Sequence, residues 1–300
     1  MLSGIINVYK EKGYTSFDVV AKLRGILKIK KIGHTGTLDP DAEGVLPVCL
    51  GKATKICGLL TDKDKEYETV LLLGMTTDTQ DVSGAVLEQK AVAVSKQQVR
   101  EAIMGFVGDY LQTPPMYSAL KVDGKKLCDL ARAGVTVERK PRPVRILSIT
   151  ILEIALPRVR MRVECSKGTY IRTLCQDIGE RLGCGGCMET LLRTRVADFR
   201  IEDALRLEEI KRLAANEGEL SFLKPIDSVF MQYQAAAVKS EFHKLLYNGN
   251  RLSSQMFASY EPQWEDAPLR VYDADGQFAG IYEFKKETRD YKPLKVFMEL

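Results

Sequence analysis

Residues 33–51 read Gly33-His34-Thr35-Gly36-Thr37-Leu38-Asp39-Pro40-Asp41-Ala42-Glu43-Gly44-Val45-Leu46-Pro47-Val48-Cys49-Leu50-Gly51. The stretch sets carboxylates among residues that steer a backbone. Gly33, Gly36, Gly44 and Gly51 permit angles that a β-carbon forbids, and Pro40 drives Asp39 out of the helical region. A loop of this make-up is expected to hold Asp39 outside regular structure and to aim its side chain, the usual setting of a catalytic group.

Taken alone, the loop admits three uses. Asp39, Asp41 and Glu43 before Gly44 imitate the opening of a calcium-binding EF-hand, but Pro40 is foreign there and the place of the bidentate glutamate falls on Leu50. Gly51-Lys52 suggests a phosphate-binding loop, yet Ala53 stands where Ser or Thr should follow the lysine, and Leu46 where the first glycine should be. In the third use Asp39 merely stabilises a turn by accepting from a nearby amide, as most Asp-Pro loops do.

Composition sets outer bounds. A chain of 300 residues suits one large domain and a small one. Apolar runs such as Val70–Leu73 are far shorter than a membrane span, and Met1-Leu2-Ser3-Gly4 lacks the features of a secretion signal, so a cytoplasmic protein without membrane association is expected. Seven cysteines then imply reduced thiols. Cys184-Gly185-Gly186-Cys187 raises zinc or redox chemistry, but it has no second such pair and only His34 and His243 offer imidazoles; no metal is expected. A net charge of +4 does not identify a nucleic-acid binder, whereas its distribution is informative. Between Lys121 and Arg145, eight basic residues face three acidic ones, a cluster able to follow phosphates or simply to be a solvated surface.

Along the chain, residues 5–9 read as a strand, and Thr15-Ser16-Phe17-Asp18 as a capping box opening a helix that turns Val19, Val20, Leu23, Ile26 and Leu27 inward. The motif loop follows. Residues 67–73 form a strand, 95–106 a helix capped by Ser95, and 144–154 and 158–165 two adjacent strands, the second with alternating Val159, Met161, Val163 and Cys165. An amphipathic helix then carries Ile171, Leu174, Cys175, Ile178 and Leu182, with Arg172 in its first turn, and another spans 207–215, ended by Gly218. Beyond residue 228 the pattern changes to short strands around Asp275-Gly276, with a further strand over 293–298. The expected organisation is an α+β domain over 1–228 and a small all-β module over 229–300. Residues 261–300 hold nine acidic and six basic residues, so RNA contact by this module would be restricted to a patch or its backbone.

GHTGTLDPDAEGVLPVCLGKATK, from Gly33 to Lys55, resembles the catalytic motif of the TruB family of tRNA pseudouridine-55 synthases. Further blocks follow in the family's order: Lys65-Glu66-Tyr67, Gly74 with Thr77-Asp78-Thr79, Pro115 to Lys121, Gly124 to Leu127, and Cys165 to Thr173. The resemblance covers residues 1 to about 228, and more weakly a PUA-like C-terminal domain. It implies a pseudouridine-synthase core with a mixed, largely antiparallel sheet flanked by helices. It also implies isomerisation of uridine 55 in the tRNA T loop, with tRNA as partner, no cofactor and no obligatory protein partner.

In that reaction the bond from ribose C1′ to uracil N1 breaks, the base rotates, and C5 bonds to C1′. The resemblance makes Asp39 the essential carboxylate, Tyr67 the aromatic group near the C5 proton, and Arg172 the partner of Asp39. Read without it, Tyr67 would be a core residue and Arg172 a surface one. Tyr170 and Leu191 match pocket-lining positions, and His34 the histidine that meets RNA beside the flipped base. Lys121, Lys125, Lys126 and Arg132 are the expected phosphate contacts, while Cys128 replaces an expected tyrosine. A tRNA-folding chaperone with secondary catalysis is the alternative. A guide-RNA-dependent subunit fits less well, for want of an extended basic tail.

Overall fold

The computed structural model describes residues 2–215, 220–259, 261, 264 and 266–298. In chain order its strands are β1 (Gly4–Lys10), β2 (Ile32–His34), β3 (Glu43–Leu50), β4 (Lys65–Leu73), β5 (Met75–Thr77), β6 (Val86–Gln89), β7 (Gly108–Gln112), β8 (Lys121–Val122), β9 (Lys125–Lys126), β10 (Arg142–Ala155), β11 (Arg158–Cys165), β12 (Gly186–Val196), β13 (Phe199–Arg200), β14 (Gln234–Ala237), β15 (Leu269–Tyr272), β16 (Phe278–Lys285) and β17 (Asp290–Val296). The helices are α1 (Ser16–Leu27), α2 (Cys57–Thr61), α3 (Lys96–Met104), α4 (Leu127–Arg132), α5 (Ile171–Arg181), α6 (Leu207–Ala215) and α7 (His243–Tyr247).

One mixed sheet organises the molecule in the order β1-β3-β12-β4-β11-β10-β7, with β2 added to β3 and β13 to β12. Only the short β3–β12 contact in it is parallel. Helices α3 and α5 cover β4, β10 and β11 through Val99, Ile103, Ile149, Val163, Leu174 and Ile178, while α1 and α6 cover β1 and β3 through Val8, Val20, Leu23, Leu46 and Ile210. The C-terminal strands form their own sheet, β14-β15-β16-β17, accompanied by the short helix α7. The α+β class is as expected. So are the caps: Thr15 and Asp18 close a capping box on α1, and Ser95 and Gln98 do the same on α3. Gly218, expected to end α6, lies outside the described residues.

Two expectations need correction. The stretch 33–51 is not all loop: only residues 35–42 lie between strands, and Glu43–Leu50 is β3. Its unbroken apolar run reflects burial on both faces, with Val45 and Cys49 packing toward Ile5 and Phe199, and Leu46, Val48 and Leu50 toward α1. Gly33, correspondingly, has no positive φ; it sits in β2, where a β-carbon would meet the Cys57 sulfur at 3.1 Å. The central strand β12 was not anticipated at all. Glu189, Thr190, Arg193 and Arg195 interrupt its apolar pattern, and two irregularities in its pairing with β4 break the period-two signature.

Gly44 shows what the motif's glycines are for. Its φ is +106°, and a β-carbon there would lie 2.2 Å from the Arg193 carbonyl oxygen, so β3 reaches β12 only because residue 44 lacks one. Gly44→Ala is therefore expected to cost at least about 2 kcal/mol of unfolding free energy in a urea titration. Gly25→Ala, in the last turn of α1 with nothing within 4 Å of the added carbon, should instead stabilise the protein by about 0.5–1 kcal/mol.

Candidate active site

Asp39 lies in the β2–β3 loop, outside regular structure, as its Pro40 neighbour requires. The turn is real, since the Ala42 amide donates to the Asp39 backbone carbonyl at 3.1 Å. Because the backbone closes the turn, the side chain is left for another use. It forms an ion pair with Arg172, Oδ2 to Nε, at 3.1 Å.

Four contacts from outside hold the loop. Ser16 Oγ, at the start of α1, accepts from the Leu38 amide at 2.9 Å. The Gly13 amide donates to the Pro40 carbonyl at 2.9 Å, and the ammonium of Lys10, on β1, donates to the same oxygen at 3.1 Å. Lys10 is fully buried, and burial, partly offset by Glu43 and Asp39, pushes its pKa down to about 8. Arg193, on β12, supplies the fourth contact: its Nε donates to the Val45 carbonyl at 2.7 Å, and its terminal nitrogens reach the Thr37 and Gly36 carbonyls at 3.5 and 3.4 Å.

Arg172, in the first turn of α5, is 6 % exposed, and not the surface residue its position alone suggests. Besides Asp39 it meets Asp81 at 3.5 Å and donates to the carbonyls of Thr79 (3.1 Å) and Tyr117 (2.8 Å). Two carboxylates thus share one guanidinium. The Asp39 carboxyl remains 42 % accessible from one side, yet loss of water on its other sides raises its pKa; Arg172 opposes that shift and Asp81 adds to it.

Tyr67, on β4, is buried in the same cluster as Leu38, Ile171 and the half-buried Leu191. Burial raises the pKa of its phenol, and the charge of the nearby Arg193 guanidinium works in the opposite direction. Tyr170 precedes α5 and is fixed by a reciprocal amide pair: its N–H donates to Gln112 Oε1 at 2.8 Å, and Gln112 Nε2 donates to its carbonyl at 2.9 Å. His34 Nδ1 accepts from the Gly36 amide at 3.3 Å, which leaves Nε2 as its N–H, and burial lowers its pKa, favouring the neutral ring. Lys121, Lys125, Lys126 and Arg132 stand apart from this cluster, exposed on the β8–β9 hairpin and α4. That hairpin turns through Asp123 and Gly124 at positive φ, and it starts four residues after Tyr117.

Cys184 and Cys187 are both buried, and the Cys184 thiol donates to the Gly185 carbonyl at 3.4 Å. Among the described residues no group of three or more His, Cys, Asp or Glu is placed to hold a metal ion, and no helix is long and apolar enough to cross a membrane. Sequence reasoning missed Asp81, two residues beyond the Thr77-Asp78-Thr79 block, and Lys10 and Arg193, whose charges gave no sign of burial.

The family model for the TruB family pseudouridylate synthase N-terminal domain matches residues 24–171, and that for the tRNA pseudouridylate synthase B C-terminal domain matches residues 172–231. The tRNA pseudouridine synthase B of Lachnoclostridium phytofermentans is 54 % identical over 307 residues, covering 99 % of this chain and 100 % of that protein. The chain belongs to the TruB family. Another TruB relative, the tRNA pseudouridine synthase B of Alkaliphilus oremlandii, is 45 % identical and covers 98 % of this chain and 97 % of its own. Among solved structures, a chain of a Cbf5-Nop10-Gar1 complex superposes with a TM-score of 0.73 at 26 % identity, over 99 % of this chain and 85 % of that one. A chain of an H/ACA RNP bound to a substrate RNA shares the fold, with a TM-score of 0.72 at 24 % identity over 98 % and 85 %.

The shared guanidinium makes a prediction that needs no substrate. In a carboxyl-carbon NMR titration, Asp81→Asn should lower the pKa of Asp39, because a neighbouring negative charge is removed, and Arg172→Gln should raise it further.

Proposed function

We propose that the protein is a tRNA pseudouridine-55 synthase in which Asp39 is the essential carboxylate. The observation that carries this reading is the Asp39–Arg172 ion pair, at 3.1 Å, in a chain of the TruB family. Arg172 is buried and committed to two backbone carbonyls, so it fixes the direction of Asp39 while helping to keep it ionised. Tyr67 offers a ring for the extruded base and a hydroxyl near the departing C5 proton. Leu191 and Tyr170 wall the pocket in which detached uracil must be retained. His34, with Nε2–H free, faces the RNA beside the flipped nucleotide, and the lysine hairpin with Arg132 takes phosphates. The chemistry calls for no cofactor, and no obligatory protein partner is included in the proposal, nor any site of action other than the cytoplasm. Catalytic and C-terminal units are divided near residue 228: Lys224 is still bonded to Ile5 of β1, and the separate sheet begins at Gln234. Assistance to tRNA folding accompanies catalysis through the same RNA surface.

Asp39→Asn preserves size and removes the charge. It is expected to reduce single-turnover pseudouridine formation on a T-arm RNA by at least about a thousandfold, with RNA affinity kept within about tenfold. Substantial turnover by this variant would sink the assignment. Asp41→Asn should be far milder.

Replacing Lys125 and Lys126 by alanine is expected to weaken RNA binding and flatten the slope of log affinity against log salt, by about 0.7–0.9 for each phosphate no longer neutralised. Single-turnover chemistry at saturating RNA should stay near wild type. An unchanged slope would assign these lysines to the solvated surface.

A further inference from the structure

Arg193 spans the candidate site. Its Cα is paired with Tyr67 on β4 and with Gly44 on β3, so the side chain emerges between the tyrosine and the strand that follows the Asp39 loop. It is 1 % exposed, and among the described residues it has no carboxylate within ion-pair distance. A guanidinium taken from water without a counter-charge is costly, and burial indeed weakens its hold on its proton. An apolar side chain of similar length would fill the space without that cost. What an apolar side chain cannot supply is a planar fork of donors, and here the fork is used, one N–H to the Val45 carbonyl and others toward those of Gly36 and Thr37, beside Tyr67 as its cross-strand partner.

We infer that Arg193 is a positioning residue that holds Tyr67 and the Asp39 loop in one register. The inference rests on the roles given above to Asp39 and Tyr67. As the cross-strand partner of Tyr67, Arg193 sets a fixed positive charge beside the phenol. By donating to three carbonyls that flank Asp39, it keeps the carboxylate at a fixed distance from that hydroxyl. The competing role is that of a strut joining β3 to β12, which would show in stability and RNA affinity but not at the tyrosine.

Arg193→Lys and Arg193→Met separate the two. Each variant is followed by thermal unfolding, by affinity for a T-arm RNA, by single-turnover tritium release from 5-tritiated uridine at saturating RNA, and by the carbon NMR titration of Tyr67, assigned through its absence in Tyr67→Phe. Lysine keeps a charge but loses the fork. Folded Arg193→Lys is expected to bind RNA within about threefold of wild type and to lose about tenfold or more in single-turnover rate. Arg193→Met should lose more, and its Tyr67 should titrate at higher pH than in wild type. A folded Arg193→Lys with the wild-type rate overturns the inference, as does a loss confined to RNA affinity or an unmoved Tyr67 titration in folded Arg193→Met. If methionine prevents folding, the lysine variant decides. Asp39→Asn in the same assay keeps the outcomes apart: turnover there overturns the functional reading, whereas an inactive Asp39→Asn beside a fully active Arg193→Lys overturns only the role of Arg193.

Discussion

The site depends on satisfying the carbonyls of a loop that is wedged against the end of a sheet. A buried carbonyl needs a donor, and residues 35–42, outside any strand, have few neighbouring amides to provide one. Two buried cations fill the gap: Lys10 at the Pro40 carbonyl, and Arg193 at those of Gly36 and Thr37. Ser16 and Gly13 complete the fastening. Because backbone contacts do the holding, the Asp39 carboxylate is not spent on the loop and is presented to Arg172. One set of charges thus holds the loop, and another pairs with its carboxylate.

That second set is in tension with stability. Two carboxylates share Arg172, and loss of water around Asp39 raises its pKa. A raised carboxyl pKa in the folded state gives stability that is fully present below the ordinary aspartate range and lost as pH rises through the folded value. Above the folded value, with the carboxyl ionised, the fold has given up that contribution. Asp18 is the opposite case, since its hydrogen bonds with Thr15 at the start of α1 lower its pKa on folding.

Which parts of this were legible in the sequence follows from the range of the forces involved. Local rules gave the caps of α1 and α3, the alternation of β11, and the displacement of Asp39 by Pro40, because each is settled within a few residues. The apolar run of β3 was masked by its glycines and proline, whose purpose appears only when β12 lies against Gly44. Arg193 is 154 positions from Asp39 in the chain, and nothing within β12 distinguishes it from exposed Arg200 a few residues on. A buried arginine is recognised by the carbonyls that surround it, and those belong to another part of the chain. Asp81 failed to register for the same reason, since its meaning lies in Arg172 and not in the turn that carries it.

The lysine hairpin is built on the opposite plan to the loop. Of the eight residues from Lys121 to Cys128, Leu127 alone is buried, and the turn relies on Asp123 and Gly124 at positive φ, a tight reversal with little packing behind it. Charges on such an element stay in solvent, apart from the buried Arg172 and the Asp39 paired with it. The two are nevertheless joined at one point. Tyr117, four residues before the hairpin, gives its carbonyl to Arg172 at 2.8 Å, and Ser118 accepts from the Cys128 amide at 3.0 Å, tying α4 back to the same spot. The root of the hairpin is therefore bonded to the same guanidinium that pairs with Asp39, so a change in the path of residues 117–118 would alter the support of that ion pair.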